Sequence, residues 1–368
     1  MHKILVVGLG FAGATCARLL ADAGYVVHAI DRRPHIGGNA YDCHDEAGLL
    51  IHPYGPHIFH TNSKRVLEYL SRFTEWRFYE HRVKSVVGER LFDFPINRKT
   101  ICEVFGRDLT PEEAKSFLEK QCVKIDPVRT SEDLVLSSVG PILCDQFFRG
   151  YTLKQWGRGL EKLKAGVAAR IPVRFDEDDR YFSDTYQFMP AQGYSALFTS
   201  MLDHPNITIE LGADYEPPAP SAAGGLMHTV YTGPIDAYFA YSLGHLPYRS
   251  LQFEHYHIAD TDLVQKAAVY NFPNSEDYTR ITEFKQITGQ KIDGSSLVKE
   301  YPTDEGDPYY PIPSDESEAV FQQYKSLADQ ETSVTFVGRL AQYRYYNMDQ
   351  VVAAAMHAAD EICEKIRS

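Results

Sequence analysis

The glycines near the N-terminus have the spacing of a site for dinucleotide phosphates. Gly8, Gly10 and Gly13 directly follow an apolar run at residues 3–7. Gly8 allows a tight turn, Gly10 lets the backbone approach a pyrophosphate, and Gly13 lets the next helix pack against the strand. A second apolar run ends on Asp31, whose carboxylate can accept hydrogen bonds from a ribose diol. This order of strand, glycine turn, helix, strand and acid predicts a dinucleotide-binding βαβ unit.

A second group of turn residues indicates which dinucleotide is bound. Asp31 and Arg32 are followed, after four residues, by Gly37, Gly38 and Asn39. This spacing is similar to an extension found in FAD-binding oxidases and mutases, and it is uncommon in NAD dehydrogenases. A loop that merely needs turn residues would have the same composition. We favour FAD as the cofactor of the N-terminal unit.

Several arginines stand in contexts that suit recognition of a diphosphate. Arg170 and Arg174 flank a turn that contains proline, while Arg249 and Arg280 follow tyrosine-containing segments. Guanidinium forks match the delocalised charge of phosphate groups. Arg339 follows a predicted strand end, where it could meet a cofactor phosphate. A single arginine is more often part of a surface ion pair, so the prediction depends on the convergence of these side chains in the fold.

The segment 150–157 and the residues before it join aromatic faces to polar groups. The candidates for stacking on a base are Phe147 and Tyr151, and those for hydrogen bonding are Thr152, Gln155 and Trp156. Aromatic side chains stack on bases of any sequence. Core packing alone would also explain Phe147 and Phe148.

A loop at residues 51–61 carries the three histidines His52, His57 and His60. No carboxylate or cysteine lies among them at ligand spacing, and prolines stiffen the loop. We therefore expect no metal site here. The loop is expected to pack against the cofactor ring.

The composition limits the classes of partner. The chain has 368 residues and a formal net charge of −13, which argues against general binding to nucleic acids or anionic membranes. Its six cysteines form no CxxC pair, which indicates buried thiols in a reducing compartment. No run approaches 18 apolar residues, so no membrane insertion is expected. We expect a cytoplasmic protein.

The elements that position these residues follow from local patterns. Residues 98–156 look helical, with Thr110 as the cap of one helix and a single helix over 139–155. Asn347 is placed to cap the final helix, whose positive end would favour an anionic reduced flavin. A loop rich in proline and glycine is predicted at 216–225.

Buried strands of the nucleotide-binding unit recur late in the chain, near 229–233 and 334–338. The chain therefore leaves this unit and returns to it twice. The predicted fold is α/β, a Rossmann-type FAD-binding domain with an inserted helical bundle and an antiparallel β-sheet domain. The predicted segments are 1–78, 195–250 and 332–368 for the FAD-binding domain, 98–160 for the helical lid, and 79–97, 161–194 and 251–331 for the sheet domain.

Taken together, the motifs resemble the bacterial UDP-galactopyranose mutase family. They are GxGxxG, DRxxxxGGN, YGPHIFHT, GYTxKQWG, ARIPVRF, YFSDTYQ, YTGPID, YRSL, YTR, KEYP, GDPYYP and GRLxxYRYYNMDQV. They occur in order over nearly the whole chain. The resemblance implies a mutase that uses reduced FAD to interconvert UDP-galactopyranose and UDP-galactofuranose without net redox change. It also implies that flavin N5 attacks the anomeric carbon as UDP leaves.

The resemblance implies roles for particular residues. The implied catalytic residues are Arg170, Arg280, His57, Tyr310 and Tyr345. The implied substrate contacts are Phe147, Phe148, Tyr151, Thr152, Gln155, Trp156, Tyr181 and Asn347. The implied FAD contacts are Gly8, Gly10, Gly13, Asp31, Arg32, Gly38, Asn39, His60, Arg249, Arg339 and Met348. NAD(P)H or another reductant would activate the flavin, and we expect a homodimer or a larger homo-oligomer.

Departures from the family pattern leave the nucleotide sugar open. Asn347 stands where many members have Asp, and the familiar YFDY stretch contains Ala240. A GalNAc, arabinose or deoxyhexose substrate is an alternative. An FAD-dependent oxidase or desaturase and a non-catalytic nucleotide-sugar binding protein are the others. A mutase turns over many substrates per reduced flavin, whereas an oxidase consumes one oxidant in each cycle.

Overall fold

The computed structural model describes residues 3–217 and 226–367. Residues 218–225 of the predicted proline- and glycine-rich loop lie outside them. The strands in chain order are β1 (Lys3–Val7), β2 (Val26–Asp31), β3 (Cys43–His44), β4 (Leu50–Ile51), β5 (Phe59–Thr61), β6 (Trp76–Phe78), β7 (Val83–Val87), β8 (Arg90–Phe94), β9 (Tyr186–Pro190), β10 (Ile207–Leu211), β11 (Leu226–Tyr231), β12 (Tyr248–Ile258), β13 (Val269–Asn271), β14 (Arg280–Glu283), β15 (Ser295–Thr303), β16 (Tyr310–Pro311) and β17 (Val334–Phe336).

The α-helices in chain order are α1 (Phe11–Asp22), α2 (Lys64–Leu70), α3 (Arg98–Phe105), α4 (Pro111–Gln121), α5 (Ser131–Leu143), α6 (Gly150–Trp156), α7 (Gly193–Leu202), α8 (Ile235–Tyr238), α9 (Phe284–Thr288), α10 (Asp315–Ala328) and α11 (Met348–Arg367). Short 3-10 turns lie at Gly38–Ala40, Leu160–Lys162 and Ala165–Arg170, and a π-helical turn lies at Cys144–Arg149. In the described ranges, no helix is both long enough and apolar enough to cross a membrane.

The nucleotide-binding layer is a parallel sheet in the order β10-β2-β1-β11-β17. The returning strands β11 and β17 pair beside β1, although they come from distant parts of the chain. Helices α1 and α11 pack together on this sheet in one hydrophobic core. The predicted α/β fold class is confirmed, while the division of the chain into three domains stays a prediction.

The geometry of the turn between β1 and α1 explains why two of its residues are glycines. Gly8 has φ +91°, a backbone conformation that residues with a side chain rarely adopt. A Cβ on Gly13 would lie 1.8 Å from the carbonyl oxygen of Gly8. Only a glycine at this position lets α1 start so close to the strand.

The larger sheet runs in the order β16-β12-β15-β14-β13-β7-β8. Its pairs are antiparallel, as predicted, except that β7 and β13 are parallel. A smaller antiparallel sheet, β5-β9-β6, joins the histidine loop to the rest. The helices α3 to α5 and the π-helical turn pack with β7 and β8 in a second core.

The helical segment has the predicted cap but not the predicted single helix. The Thr110 side chain accepts from the N–H of Glu113, and Glu113 bonds back, which forms a capping box. The prediction of one helix over 139–155 is wrong. Gly140 has φ 75° and interrupts the helical conformation of α5. A Cβ there would lie 2.4 Å from the carbonyl oxygen of Gln121, so this position needs glycine. A π-helical turn then separates α5 from α6.

Candidate active site

A cleft of about 1590 Å³ lies at the carboxyl ends of the Rossmann strands. One wall is the glycine turn and the start of α1. Further lining comes from the segments 306–309 and 338–340 and from Met348, the first residue of α11. The predicted cofactor contacts that line the cleft are Gly8, Gly10, Asp31, Arg32, Gly38, Asn39, Arg339 and Met348.

The phosphate end of this cleft fits a dinucleotide. Helix α1 begins after Gly10 and has no acidic residue in its first turn, so its N–H groups face the cleft without a competing negative charge. A Cβ on Gly10 would have no neighbour nearer than 3.8 Å, so this residue opens onto the cleft. Gly13 supports the turn from behind and is not among the lining residues of the described chain.

Asp31 holds the glycine turn in shape as well as lining the cleft. Its carboxylate accepts hydrogen bonds from the N–H of Leu9 at 2.7 Å and from the N–H of Arg33 at 2.9 Å. Each oxygen keeps a further lone pair for a ribose hydroxyl. The residues present therefore fit FAD at this end.

An ion-pair cluster crosses the mouth of the cleft. Asp307 bonds to Arg32 at 2.6 Å and to Arg33 at 3.1 Å, so one carboxylate joins the loop after β2 to the loop before β16. Arg33 also donates to the side chain of Asn39 at 2.9 Å. We call Asp307 with Arg32 and Arg33 the Asp307 clasp.

Beside the cleft, arginines and aromatic rings from distant segments converge. The guanidinium carbon of Arg170 lies 4.1 Å from the centre of the Tyr345 ring, and that of Arg339 lies 5.4 Å from the centre of the Tyr310 ring. The ring centres of Tyr310 and Tyr345 are 5.3 Å apart, and those of Trp156 and Tyr345 are also 5.3 Å apart. Because Arg339 also lines the cleft, this arginine–tyrosine cluster is continuous with the cofactor site.

Arg280 is anchored in the cluster by a buried carboxylate. Its Nε lies 3.2 Å from an oxygen of Glu300, whose side chain is 2% exposed. Burial raises the pKa of Glu300 although Arg280 opposes the rise. Glu300 holds the pKa of the Arg280 guanidinium well above its usual range, so Arg280 stays charged.

Three tyrosines of the cluster keep their protons. Burial raises the pKa of Tyr310 to about 12 and raises those of Tyr151 and Tyr181 as well, while Arg280 opposes these shifts. A protonated phenol donates a hydrogen bond, so these groups suit an anionic oxygen. Tyr181 packs edge-on against His81, whose carbonyl oxygen accepts from the Tyr181 N–H at 2.7 Å.

His57 lines the cleft as a neutral imidazole. Burial lowers its pKa to about 3. Its Nδ1 lies 2.9 Å from the carbonyl oxygen of Gly55, which can only accept, so Nδ1 carries the proton and Nε2 is left as an acceptor. His52 lies behind it and accepts from the His57 N–H at 3.0 Å. In the described part of the chain, no group of His, Cys, Asp or Glu could hold a metal ion.

Two of the predicted FAD contacts, His60 and Arg249, bind other residues of the protein. His60 pairs with Asp184 at 2.7 Å and stacks on Phe182, and it is not among the described residues that line the cleft. Arg249 is almost fully buried and donates to the carbonyl oxygens of Lys154 and Gln155, both at 3.0 Å, and it also pairs with Asp304. The carbonyls at the end of α6 need donors, and the Arg249 guanidinium supplies them. Contact of His60 and Arg249 with FAD stays a prediction.

The predicted substrate contacts on the helices divide into two groups. Phe147 packs between Phe92 and Phe94, and Phe148 also packs against Phe94, so the core accounts for both. Thr152 and Gln155 are buried on α6, and Gln155 Oε1 has no hydrogen-bond partner among the described residues. This orphaned acceptor is suited to a donor on a ligand.

Asn347 immediately precedes α11, but its side chain does not cap the helix. Its oxygen accepts a hydrogen bond from Arg170. The Gln350 side chain instead accepts from the Asn347 N–H at 2.9 Å. Asn347 is therefore a part of the arginine–tyrosine cluster.

Three polar residues of the site were missed by sequence reasoning: Lys154, Glu300 and Asp307. Each lies inside one of the motifs that carry the family resemblance, and this was the sequence signal that could have identified them. Their partners are 20 to 275 residues away, so no local spacing identifies them.

Comparisons with known proteins identify the family of this chain. The family model for UDP-galactopyranose mutase matches residues 146–345, and that for an NAD(P)-binding Rossmann-like domain matches residues 6–73. The chain is 41% identical to a probable UDP-galactopyranose mutase of Klebsiella pneumoniae, over 99% of this chain and 95% of that protein. It is 38% identical to a dTDP-fucopyranose mutase of Escherichia coli, over 98% of both.

A solved structure has the same fold. A crystal structure of reduced UDP-galactopyranose mutase superposes with a TM-score of 0.79 over 99% of this chain and 96% of that one, at 16% identity. The full-length relatives and the family model together decide the assignment. The chain belongs to the UDP-galactopyranose mutase family of flavin-dependent isomerases.

Proposed function

We propose that this protein interconverts UDP-galactopyranose and UDP-galactofuranose, with reduced FAD and no net redox change. The observation that supports it most is the arginine–tyrosine cluster beside the dinucleotide cleft. Arg170, Arg280 and Arg339 gather around shared tyrosines in a chain whose net charge is −13. Local positive charge in an acidic protein suits a bound diphosphate.

FAD would lie on the glycine turn, Asp31 and Gly38, with Arg339 and Met348 lining the same cleft. When bound in its reduced form, FAD supplies a nucleophilic nitrogen, N5, for the anomeric carbon of the sugar. The reduced state and its reductant, NAD(P)H or another donor, are parts of the proposal.

The chain's own residues would orient the substrate and stabilise its leaving group. Arg170 and Arg280 would offset the charge that develops on the diphosphate as its bond to the sugar lengthens. Tyr310 and Tyr345 would donate hydrogen bonds to the same oxygens. Tyr151 would stack on uracil, which fixes the sugar relative to the cofactor.

His57 would act at the cleft without exchanging a proton. Its Nε2 is an acceptor, and its low pKa keeps it neutral at ordinary pH. It can therefore orient a donor on the cofactor or the sugar. A protonated imidazole as general acid does not fit this environment.

A second candidate substrate is a dTDP-linked deoxyhexose, because a relative with 38% identity is named dTDP-fucopyranose mutase. Thymine adds a methyl group to the base, and a 6-deoxy sugar removes one hydroxyl. A hydroxyl that is paired in the site discriminates strongly between such substrates, whereas an added methyl group discriminates weakly.

The test is to incubate the FAD-loaded, dithionite-reduced protein with UDP-galactofuranose and, separately, with dTDP-fucofuranose. Chromatography then identifies the product. The proposal expects UDP-galactopyranose, formed many times per flavin, and no product from the oxidised protein. Conversion of the dTDP sugar alone would transfer the assignment to the second candidate. Turnover by the oxidised protein that consumes one equivalent of oxidant for each product would indicate an oxidase.

The homodimer or larger homo-oligomer implied by the resemblance stays a prediction. Light scattering of the purified, FAD-loaded protein gives its mass directly. A monomeric mass would contradict it.

A further inference from the structure

Lys154 lies on α6 and holds a loop that is distant in sequence. Its ammonium group donates to the carbonyl oxygens of Ser275 at 2.8 Å, Glu276 at 3.2 Å and Tyr278 at 3.1 Å, and also to that of Phe272. These acceptors belong to the segment 272–279, which we call the Lys154-bound loop. A half-buried ammonium with several carbonyl partners is a strong, charge-assisted anchor.

The Lys154-bound loop is also seated on the start of α6. The Asn274 side chain donates to the carbonyl oxygen of Gln146 at 2.9 Å. A Cβ on Gly150 would lie 2.4 Å from the carbonyl oxygen of Pro273, so glycine is needed for this close approach. The loop and the helix therefore behave as one packed unit.

Each partner of this contact carries a residue of the arginine–tyrosine cluster. Tyr151 lies one helical turn before Lys154 on α6, on the same side of the helix. Arg280 begins β14 directly after the loop. Tyr151 and Arg280 are therefore connected through the contact between α6 and the Lys154-bound loop. The charge of Arg280 also opposes the rise that burial causes in the pKa of Tyr151.

We propose that Lys154 is a positioning residue that sets the separation between Tyr151 and Arg280. This inference rests on the proposed function, in which Tyr151 stacks on the base and Arg280 binds the diphosphate of the same nucleotide. Lys154 contacts neither. It fixes the spacing that a nucleoside diphosphate must span.

Replacement of Lys154 by Met removes the ammonium and leaves the loop carbonyls without their shared donor. The loop is then free to shift Arg280 relative to Tyr151. We expect UDP to bind about tenfold more weakly, since small misplacements of binding groups are costly. FAD content should not change, because Arg249 still holds the end of α6 that borders the cleft.

The matched control is Lys285→Met. Lys285 is also a buried lysine, and it pairs with Asp262 at 2.8 Å and donates to the carbonyl oxygen of Gly294 at 3.2 Å. Its contacts do not involve the arginine–tyrosine cluster. We expect this variant to lose thermal stability while its UDP affinity stays at the wild-type value.

The experiment is calorimetric titration of UDP into FAD-loaded wild type, Lys154→Met and Lys285→Met, with KM and kcat measured for UDP-galactofuranose. Weaker binding and a raised KM in Lys154→Met alone support the proposal. Wild-type affinity in Lys154→Met, or equal weakening in the control, overturns it. Failure of the wild type to bind UDP would instead refute the proposed function and this inference with it.

A second variant covers the case in which Lys154→Met does not fold. Asn274 is exposed on the same loop, so Asn274→Ala should leave the fold intact. It removes the other side-chain anchor and should weaken UDP binding about two- to threefold, as expected for loss of one hydrogen bond. Unchanged UDP affinity in an Asn274→Ala preparation that is folded and loaded with FAD to the same extent as wild type overturns the proposal.

Discussion

The buried pair of Arg280 and Glu300 gives the sharpest test of the site. In Arg280→Met the Glu300 carboxylate loses its cationic partner in a position that is 2% exposed. Glu300 Oε1 already lacks a hydrogen-bond partner among the described residues, so nothing nearby replaces the lost charge. Leaving such a charge uncompensated costs about 3–5 kcal/mol. This is less than the stability of most folded domains, so the variant should still fold.

The cost should depend on pH in a defined direction. Burial raises the pKa of Glu300, and removal of Arg280 raises it further. The folded variant then holds a proton that the unfolded chain releases as the pH rises through the normal glutamate range. This contribution to the variant's free energy of unfolding is present below that pH range and is lost above it. Relative to wild type, the variant should therefore be less destabilised at about pH 5 than at about pH 8.

The assay is urea unfolding at matched FAD loading, together with turnover of UDP-galactofuranose. Arg280→Met combined with Glu300→Gln should recover at least about 2 kcal/mol, because no buried charge remains, yet it should stay inactive. Near-normal turnover in either variant would exclude Arg280 from the diphosphate site. Failure of the second substitution to restore stability would show that the isolated carboxylate is not the source of the loss.

Three further changes test separate parts of the site. Tyr151→Ala should weaken UDP binding by about 1–3 kcal/mol, the range for one stacked base, as measured by calorimetry. Asp307→Ala should open the clasp with Arg32 and Arg33 and speed FAD release, followed by flavin fluorescence, about two- to fivefold, since exposed ion pairs contribute about 1 kcal/mol or less. His57 is neutral when folded and titrates when unfolded, so below its ordinary pKa of 6.5 it should cost up to about 1.4 kcal/mol of stability per pH unit.

Each change has a control in the chain. Tyr151→Phe keeps the ring and should keep UDP affinity, and an equal loss in both variants would contradict stacking. Asp262→Ala removes an exposed ion-pair partner outside the cleft and should leave FAD release unchanged. His57→Gln should reduce the acid sensitivity of unfolding, and an unaltered pH profile would contradict a buried neutral imidazole.

Features encoded within a few residues were predictable from the sequence. The glycine turn needs a positive φ at Gly8 and room where a Cβ would be at Gly13. Glycine meets both requirements, so both are visible in the sequence. The Thr110 cap depends on a residue three positions away. The apolar run at 334–338 predicted a strand of the parallel sheet, although β17 lies at the edge of that sheet and its residues are only half-buried.

Contacts between distant segments were not predictable in the same way. Arg249 looked suited to a phosphate, but the carbonyls at the end of α6, 94 and 95 residues earlier, engage it. His60 was expected beside the cofactor and pairs with Asp184, 124 residues away. A side chain's type indicates which partners it accepts, and only the packed chain decides which of them it meets.

The late return of β17 and α11 to the first sheet affects biosynthesis. Cys16 on α1 packs against Ala355 on α11, and Arg339 and Met348 line the same cleft as the glycine turn. More than 300 residues separate Gly10 from Arg339, so a ribosome makes the glycine turn long before it makes these other lining residues. A ligand that needs both groups has to wait until the later segment has been synthesised.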